Sequence, residues 1–328
     1  MRVGLCFDGF YSIQEMIELA HLADDIGMDS IWMSDHLCFR DSMTTSMALL
    51  ASTNKIKVAA APASPYSRNP IITAMGIATM DEFAPGRVIG SPGTGNAAAL
   101  KEAGMESPHP LQTMREYVEI LRRYLKGDTV NFHGKIFHIN GAKMGFAPAA
   151  TIKMYVTAVR SRMLQLGGEI GDGVLLSAGC APAYIRKCAD DIGSGAQKSG
   201  KSSMDVDVAG FVTAAVSDSA KEAIEANKHF LAYIFRNVHH AENIRLGGGT
   251  VDQEGLAAAV GKRDWESAKK FISDEVVFAH SVAGTPGDCA KQIEAFTKGG
   301  LDLPIVLPTG TQEARKRVVR MVREIVGE

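Results

Sequence analysis

Eight short apolar segments recur along the chain, and each is a candidate for a buried strand. They lie at residues 3–7, 30–34, 57–61, 87–89, 154–159, 174–178, 206–216 and 303–307. Segments with helical character alternate with them, at residues 12–26, 43–52, 71–83, 112–126, 161–170, 182–199 and 312–326. Strands that read as continuous apolar runs belong to parallel sheets covered on both faces. An open doubly wound sheet fits this alternation too, but eight units in 328 residues favour a closed (β/α)8 TIM barrel, which takes roughly 250 residues plus insertions.

Two segments break the alternation and are predicted to be insertions in a single barrel domain of residues 1–328. Residues 128–150, after the fourth strand, contain a hairpin pattern at 130–139 with Gly134 in the turn. Residues 219–300, after the seventh strand, read as a long helical region that three consecutive glycines interrupt at 247–249. We expect no second domain, because no shift in composition separates one part of the chain from another.

The composition excludes several classes of function. A net charge of −2 lacks the basic excess that binds nucleic acid, and no apolar run approaches the roughly 20 residues of a membrane span. The N-terminal residues enter a strand pattern without the apolar core of a signal peptide. Five scattered cysteines without a Cys-x-x-Cys pair indicate reduced thiols. We therefore expect a cytoplasmic protein with a small-molecule substrate and without a nucleic-acid or membrane partner.

The glycine-rich turn after the fourth strand, in GRVIGSPGTGNAAAL at residues 86–100, is the first candidate for a ligand site. Gly90, Gly93 and Gly95 allow close backbone approach, and Thr94 or Asn96 can cap the helix that follows. Such turns bind anionic or flat ligands in α/β proteins. The turn lacks the third glycine of a dinucleotide fingerprint, and no P-loop lysine follows. An ordinary tight turn between strand and helix explains the pattern equally well.

Six segments, in order along nearly the whole chain, carry a resemblance to a known family: ADDIGMDSIWMSDH, NKIKVAAAPASPYSRNPIITA, ATMDEFAPGRVIGSPGTGNAAAL, FHGKIFHI, GGEIGDGVLLSAG and SVAGTPGDCAKQI. The chain resembles the bacterial luciferase-like flavin- and deazaflavin-dependent oxidoreductases, and among them the methylenetetrahydromethanopterin reductase type. The resemblance implies a luciferase-like TIM barrel that transfers a hydride between coenzyme F420 and a small organic substrate. An FMN-dependent monooxygenase or reductase is the alternative. The resemblance also implies a homodimer or a higher even homo-oligomer.

Asp35 and His36 follow the second strand and are the candidate catalytic residues. Histidine titrates near neutrality, so His36 could exchange a proton with a substrate while Asp35 holds its tautomer. A helix-capping aspartate and a half-buried histidine are the structural alternative. The resemblance implies that the pair lies beside the flavin or deazaflavin ring.

Ala61 and Pro62 end the third strand. Most X-Pro bonds are trans, and a strand that simply stops at proline is the plain interpretation. The resemblance implies instead a bulge with a cis peptide bond between these two residues, which presses the backbone against the ring. It also implies that Ser64 and Arg68 lie near the site; Arg68 could equally be a solvated loop residue.

Within the glycine turn, the resemblance implies that Thr94, Gly95 and Asn96 line the cofactor. The chain departs from the family at two positions. Asn96 stands where the family's sugar-phosphate dehydrogenases carry an acid, and an amide cannot deliver a proton at neutral pH. Cys6 stands where the methanopterin reductases carry a glutamate. These departures leave the substrate unidentified, and Cys6 is kept as a candidate substrate contact.

The segment between the fifth strand and its helix is the candidate phosphate site. Ser161 as an N-cap, free backbone N–H groups and two arginines suit an anion, although arginines solvated on a helix would look the same. The resemblance implies that this loop binds the cofactor's phosphate or phosphodiester. The predicted cofactor contacts are Ala158, Val159, Arg160, Ser161, Arg162 and Met163. Ser177, after the sixth strand, is a lesser candidate of the same type and, with Arg68, a candidate substrate contact.

No metal site is predicted. His133 and His138 fall on opposite strands of the predicted hairpin, and no third ligand of suitable spacing accompanies them. His239 and His240 lie in the helical region that, by the resemblance, covers the barrel mouth. Two other classes of function stay open: a non-catalytic barrel that binds a flavin-like ligand, and a phosphosugar enzyme without a redox cofactor.

Overall fold

The computed structural model describes residues 1–326 of the chain. Its strands are β1 (Gly4–Phe7), β2 (Ser30–Ser34), β3 (Lys57–Ala63), β4 (Val88–Pro92), β5 (Val130–His133), β6 (His138–Ala142), β7 (Lys153–Ala158), β8 (Gly173–Leu176), β9 (Asp207–Val216), β10 (Val282–Gly284) and β11 (Leu303–Pro308). The parallel order β9-β11-β1-β2-β3-β4-β7-β8 closes on itself through a β8–β9 pairing. The prediction of a closed eight-stranded (β/α)8 barrel is therefore confirmed.

The helices surround this barrel and alternate with its strands. They are α1 (Ile13–Asp25), α2 (Ser42–Ser52), α3 (Pro70–Phe83), α4 (Ala97–Glu102), α5 (Pro110–Leu125), α6 (Ser161–Ile170), α7 (Pro182–Lys198), α8 (Ala220–Phe235), α9 (Ala241–Leu246), α10 (Gln253–Gly261), α11 (Trp265–Lys270), α12 (Asp274–His280), α13 (Pro286–Lys298) and α14 (Gln312–Val326). No helix within residues 1–326 is both long and apolar enough to cross a membrane.

Alternation along each strand separates the interior of the barrel from the layer beneath the helices. On β1, Leu5 and Phe7 pack in the outer layer, whereas Cys6 belongs to the cluster inside the barrel. Trp32 and Tyr155 fill this interior with their rings edge to face at 5.2 Å. A Cβ at Gly4 would meet interior atoms at 3.1–3.3 Å, so even-numbered positions of β1 face inward.

The segment after β4 contains the expected hairpin. Strands β5 and β6 pair antiparallel, with His133 opposite His138 and Gly134 donating its N–H to the Phe137 carbonyl at 2.9 Å. The carboxylate of Glu116, on α5, accepts the N–H groups of Lys135, Ile136 and Phe137 in the turn. A single buried carboxylate therefore attaches the hairpin to the helix that precedes it.

The segment after β9 contains α8–α12 and a strand that the sequence did not predict. This strand, β10, has three residues and pairs with the C-terminal end of β9. The helices pack around a second apolar cluster that includes Leu231, Phe235 and Leu256. Helix α13 then returns the chain to the barrel before β11.

Ser12 caps α1 by accepting the Glu15 N–H at 3.2 Å, which is one of the two hydrogen bonds of a capping box. The Glu15 carboxylate instead accepts a hydrogen bond from Arg315 Nε at 2.6 Å, because α14 packs against α1 and brings a guanidinium to it. A distant cation therefore replaces the local backbone N–H as its partner.

Candidate active site

The C-terminal ends of the barrel strands, here called the barrel mouth, carry inward-facing polar side chains. Ser34, at the end of β2, lies 3.6 Å from Cys6 (Oγ to Sγ). Ser91, on β4, donates to the Tyr155 carbonyl at 3.1 Å and lies 3.4 Å from the Thr157 hydroxyl. The apolar interior of the barrel therefore ends in a polar rim, which is where TIM-barrel enzymes place their active sites.

His36 lies at this rim beside two aromatic rings. Its imidazole stacks on Phe10, with ring centroids 6.0 Å apart and an interplanar angle of 18°, and Phe10 contacts Phe39 edge to face at 4.4 Å. Both phenylalanines are exposed. Burial lowers the pKa of His36, and the nearby Asp35 charge opposes this only in part. The imidazole is therefore mainly neutral at neutral pH and can donate or accept one hydrogen bond.

The Asp35 carboxylate faces Arg68, with Oδ2 3.6 Å from Nε. Arg68 also pairs with Asp41, the N-cap of α2. Burial raises the pKa of Asp35, while Arg68 lowers it. No hydrogen bond joins Asp35 to His36 within residues 1–326, although the Asp35 charge acts on the imidazole, so its role in holding the His36 tautomer stays a prediction. The two arginine contacts join the loops after β2 and β3.

The end of β3 is irregular where a bulge was expected. Ala60 pairs with Gly90, but the register to β4 has shifted when Ala63 pairs with Pro92. Ala61 is buried in the barrel interior, while the Pro62 side chain lies outside the described part of the structure. The cis bond between these two residues stays a prediction.

Ser64 connects this bulge to the glycine turn. Its hydroxyl donates to the Thr94 carbonyl at 3.1 Å. Gly95 has φ +74°, which requires glycine, and a Cβ there would approach Ser64 Oγ at 3.4 Å. Asn96 caps α4 by accepting the N–H groups of Ala98 and Ala99, one of the two caps predicted. The predicted cofactor contacts of these two loops are therefore adjacent in the fold.

The loop after β7 leads into the N-terminus of α6. The prediction that Ser161 is the N-cap is wrong: Arg160 holds the cap position in extended conformation, and no side chain in the described structure caps this end. The Ser161 hydroxyl donates to Asp191 on α7 at 2.6 Å, so it is not free to cap. Arg160 instead contacts the His239 ring, with Nη2 2.7 Å from Nε2.

The other predicted residues of this loop have different surroundings. Arg162 is exposed, whereas Ala158 is buried at the end of β7 and Met163 packs against the apolar layer beneath the helices. The Val159 carbonyl accepts the Tyr184 hydroxyl at 3.0 Å. Exposed guanidinium groups and an uncapped helix end therefore lie together.

The loop after β8 is held by the helical segment that follows β9. Asn243, fully buried on α9, donates to the Gly179 carbonyl at 2.7 Å and accepts the Ala181 N–H at 2.9 Å. His280 Nδ1 lies 2.8 Å from the same Gly179 carbonyl. Ser177, a candidate substrate contact, accepts the Cys180 thiol through its carbonyl at 3.2 Å. Elements far apart in sequence therefore fix this side of the mouth.

One residue that the sequence analysis did not select is a buried carboxylate at the mouth. Asp8 directly follows β1 and is 7% exposed. Its Oδ1 accepts the Phe10 N–H at 2.9 Å, and within residues 1–326 no cation lies within salt-bridge distance of it. Burial raises its pKa to about 6. Strand alternation was the signal that could have found it, since Gly4 and Cys6 also face inward.

No metal cluster is found in the described structure, and the thiol inside the barrel, that of Cys6, is buried. No group of three or more His, Cys, Asp and Glu side chains there could hold a metal ion. His133 and His138 face each other across the exposed hairpin with ring centroids 6.4 Å apart. Cys6 is fully buried, and burial raises the pKa of its thiol. It therefore stays a neutral, apolar neighbour of the site.

Comparison with known proteins gives consistent results over the whole chain. The family model described as luciferase-like monooxygenase matches residues 5–303. The chain is 31% identical to the 5,10-methylenetetrahydromethanopterin reductase of Archaeoglobus fulgidus over 99% of both chains. It is 27% identical to the F420-dependent glucose-6-phosphate dehydrogenase of Rhodococcus erythropolis, over 92% of this chain and 90% of the relative.

The solved structures lead to the same group of proteins. The coenzyme F420-dependent tetrahydromethanopterin reductase of Methanopyrus kandleri superposes with a TM-score of 0.89, at 26% identity and 99% coverage of both chains. An F420-dependent secondary alcohol dehydrogenase superposes with a TM-score of 0.80 at 19% identity, which supports the fold alone.

Proposed function

The chain belongs to the luciferase-like monooxygenase family, and from this premise we propose that it is an oxidoreductase that transfers a hydride between coenzyme F420 and a small organic substrate. The observation that carries the proposal is the end-to-end similarity to methylenetetrahydromethanopterin reductases, 31% in sequence and 0.89 in TM-score. A carbon acceptor of the methylenetetrahydropterin kind is the substrate class that this similarity favours.

The residues at the barrel mouth fit such a cofactor. A flat ring with polar edges needs an apolar face and nearby hydrogen-bonding groups, and the mouth offers exposed Phe10 and Phe39 beside His36 and Ser64. A phosphodiester needs cations and free N–H groups, and the uncapped N-terminus of α6 offers these beside Arg160. When bound, coenzyme F420 supplies or accepts the hydride.

Roles follow for the residues around these two subsites. We assign the ring subsite to Ala61, Pro62, Ser64, Thr94, Gly95 and Asn96, and the phosphate subsite to Ala158, Val159, Arg160, Ser161, Arg162 and Met163. His36 lies at the ring as a neutral imidazole that exchanges a hydrogen bond or a proton. Asp35 faces Arg68 and, through its charge, favours the protonated form of His36.

Titration of the protein with coenzyme F420 and with FMN, each followed by fluorescence quenching, tests the proposal. We expect tighter binding of coenzyme F420, followed by oxidation of reduced F420 when methylenetetrahydromethanopterin is added. Arg160→Met should weaken binding of the phosphate-bearing cofactor, whereas Lys298→Met, on the exposed end of α13, is the matched control. Preference for FMN with oxygen consumption would establish the monooxygenase alternative. Binding without turnover would support a ligand-binding barrel.

We also propose that the protein is cytoplasmic and forms a homodimer or a higher even homo-oligomer. Five cysteines are free, including exposed Cys38, which suits a reducing compartment. Exposed apolar side chains of α3, Ile72, Met75 and Phe83, suit contact with a second copy. Mass measurement by light scattering would contradict the oligomer if it returned only the monomer.

A further inference from the structure

The carboxylate of Asp8 lies at the barrel mouth, and within residues 1–326 no cation is within salt-bridge distance of it. Gly4 and Cys6 face the interior of the barrel, and Asp8 occupies the next inward position along the same chain direction. Its Oδ1 accepts the backbone N–H of Phe10 at 2.9 Å. The loop that follows carries Phe10 onto the His36 ring, so Asp8 lies two residues from the stack at the site.

Charged groups near Asp8 come from two helices and act on it with opposite signs. Arg315 on α14 and Glu15 on α1 act on Asp8 with opposite signs, and they pair with each other at 2.6 Å. Cys6 and Tyr11, the other titratable neighbours, have raised pKa values and stay neutral. Burial therefore dominates, and it raises the pKa of Asp8 to about 6. The side chain can then exist in both protonation states near neutral pH.

We propose that Asp8 is a second proton-carrying group of this site and that it donates a proton to the substrate during reduction. The inference rests on the proposed function. As the hydride adds to the methylene carbon between two nitrogens, the bond from that carbon to one nitrogen breaks, and its electron pair stays on that nitrogen. The Asp8 O–H bond breaks, an N–H bond forms there, and the carboxylate recovers its proton from solvent. The substrate gains two electrons, and reduced coenzyme F420 loses them.

Local hydrogen bonding alone does not require this residue to be an acid. An asparagine would accept the Phe10 N–H through its own Oδ1 and preserve the turn. Asp8→Asn therefore removes the titration while it keeps the local geometry, and Asp8→Glu keeps a carboxylate at the position. Asp29→Asn is the matched control, because Asp29 lies at the opposite end of the barrel and pairs with Lys57 at 3.1 Å.

Calorimetric binding of oxidised coenzyme F420, in buffers of different ionisation enthalpy at about pH 6, provides a test that does not depend on turnover. A bound ring displaces the remaining water from Asp8 and favours its neutral form, so the wild type should take up a fraction of a proton. Asp8→Asn should bind the coenzyme without this uptake. Asp29→Asn should behave as the wild type.

The pH dependence of kcat/KM is the second measurement, with reduced F420 and methylenetetrahydromethanopterin. Reduction needs protonated Asp8, so kcat/KM should fall as pH rises above about 6. In Asp8→Asn, kcat/KM should no longer fall with rising pH in this range, and its value should be roughly 100- to 10,000-fold lower than in the wild type. Asp8→Glu should recover part of the pH dependence and part of the activity. If Asp8→Asn takes up as many protons as the wild type and keeps its pH profile, this inference is overturned while the proposed function stands. Failure of the wild type to bind coenzyme F420 would overturn the proposed function, and this inference with it.

Discussion

Glu116 should be worth far more to stability than a typical surface carboxylate, because it organises the hairpin after β4. It is 3% exposed. Its Oε1 accepts Gln112 Nε2 and the Lys135 N–H, each at 2.7 Å, and its Oε2 accepts the N–H groups of Ile136 and Phe137, each at 3.0 Å. These hydrogen bonds lower its pKa despite the burial.

Replacing Glu116 by glutamine converts one carboxylate oxygen into an NH2 group. The two N–H groups that this oxygen accepts in the wild type then lose their acceptor. Each buried group that loses its partner costs about 1–3 kcal/mol. The turn is only half-buried, so water recovers part of this cost. We expect the free energy of unfolding to fall by about 3 kcal/mol. Glu119→Gln, one turn along α5, removes an exposed pair with Arg123 and should cost only about 0.5 kcal/mol.

The pH dependence of this difference follows from the sign of the shift. The pKa of Glu116 is lower in the folded state than the ordinary value of 4.5. Its contribution is therefore complete above about pH 5 and is lost as pH falls through the lower, folded-state pKa. Denaturant unfolding of the wild type and both variants, at neutral pH and near pH 4, measures how much of the Glu116 contribution is lost on acidification. Equal losses in the two variants at neutral pH would refute the reasoning.

Three further predictions concern buried residues elsewhere in the fold. His240→Gln should make the protein less sensitive to acid, because burial lowers the pKa of His240 from 6.5 to about 4. The free energy of unfolding of the wild type should fall by about 3 kcal/mol as pH falls between these values. Equal losses in the wild type and the variant, measured between neutral pH and about pH 4.5, would contradict this prediction. Asn243→Ala should cost about 2–4 kcal/mol, because the buried Ala181 N–H loses its acceptor; an unchanged denaturation midpoint would contradict this. Gly195→Ala should prevent stable folding or lower Tm strongly, since a Cβ there would lie 1.8 Å from the Gln165 carbonyl oxygen. Gly261→Ala is the control: its Cβ position has open space, so Tm should stay nearly unchanged.

The barrel could be predicted from the sequence because its strands are buried on both faces and therefore read as continuous apolar runs. The hairpin was predictable for a similar reason, since Gly134 stands between two alternating segments. Strand β10 was not, because three residues carry no periodicity and its pairing depends on the long C-terminal extension of β9. Local hydrophobic patterns in the sequence predict burial well, but they do not predict which distant strand a short segment pairs with.

The candidate site shows the same division between local and distant interactions. Asn96 was predicted as a cap because the cap and its N–H groups lie within three residues. Ser161 was assigned the same role by the same rule, yet its hydroxyl bonds Asp191, thirty residues away. The contact between Arg160 and His239 spans 79 residues, and neither residue type in isolation predicts it. Side chains at the mouth are shared between loops, so their partners depend on the closed fold.

The position of the acid along β1 bears on the substrate. The resemblance assigns a glutamate of the methanopterin reductases to position 6, where this chain has a buried thiol that stays neutral. Asp8 lies two residues further along the strand direction, which moves a carboxylate about 7 Å toward the opening of the mouth. A proton can be transferred only over hydrogen-bond distance, so the accepting atom of the substrate must lie correspondingly nearer the opening. A proton donor at Asp8, in place of one at position 6, would therefore keep the chemistry and change the depth at which the substrate binds.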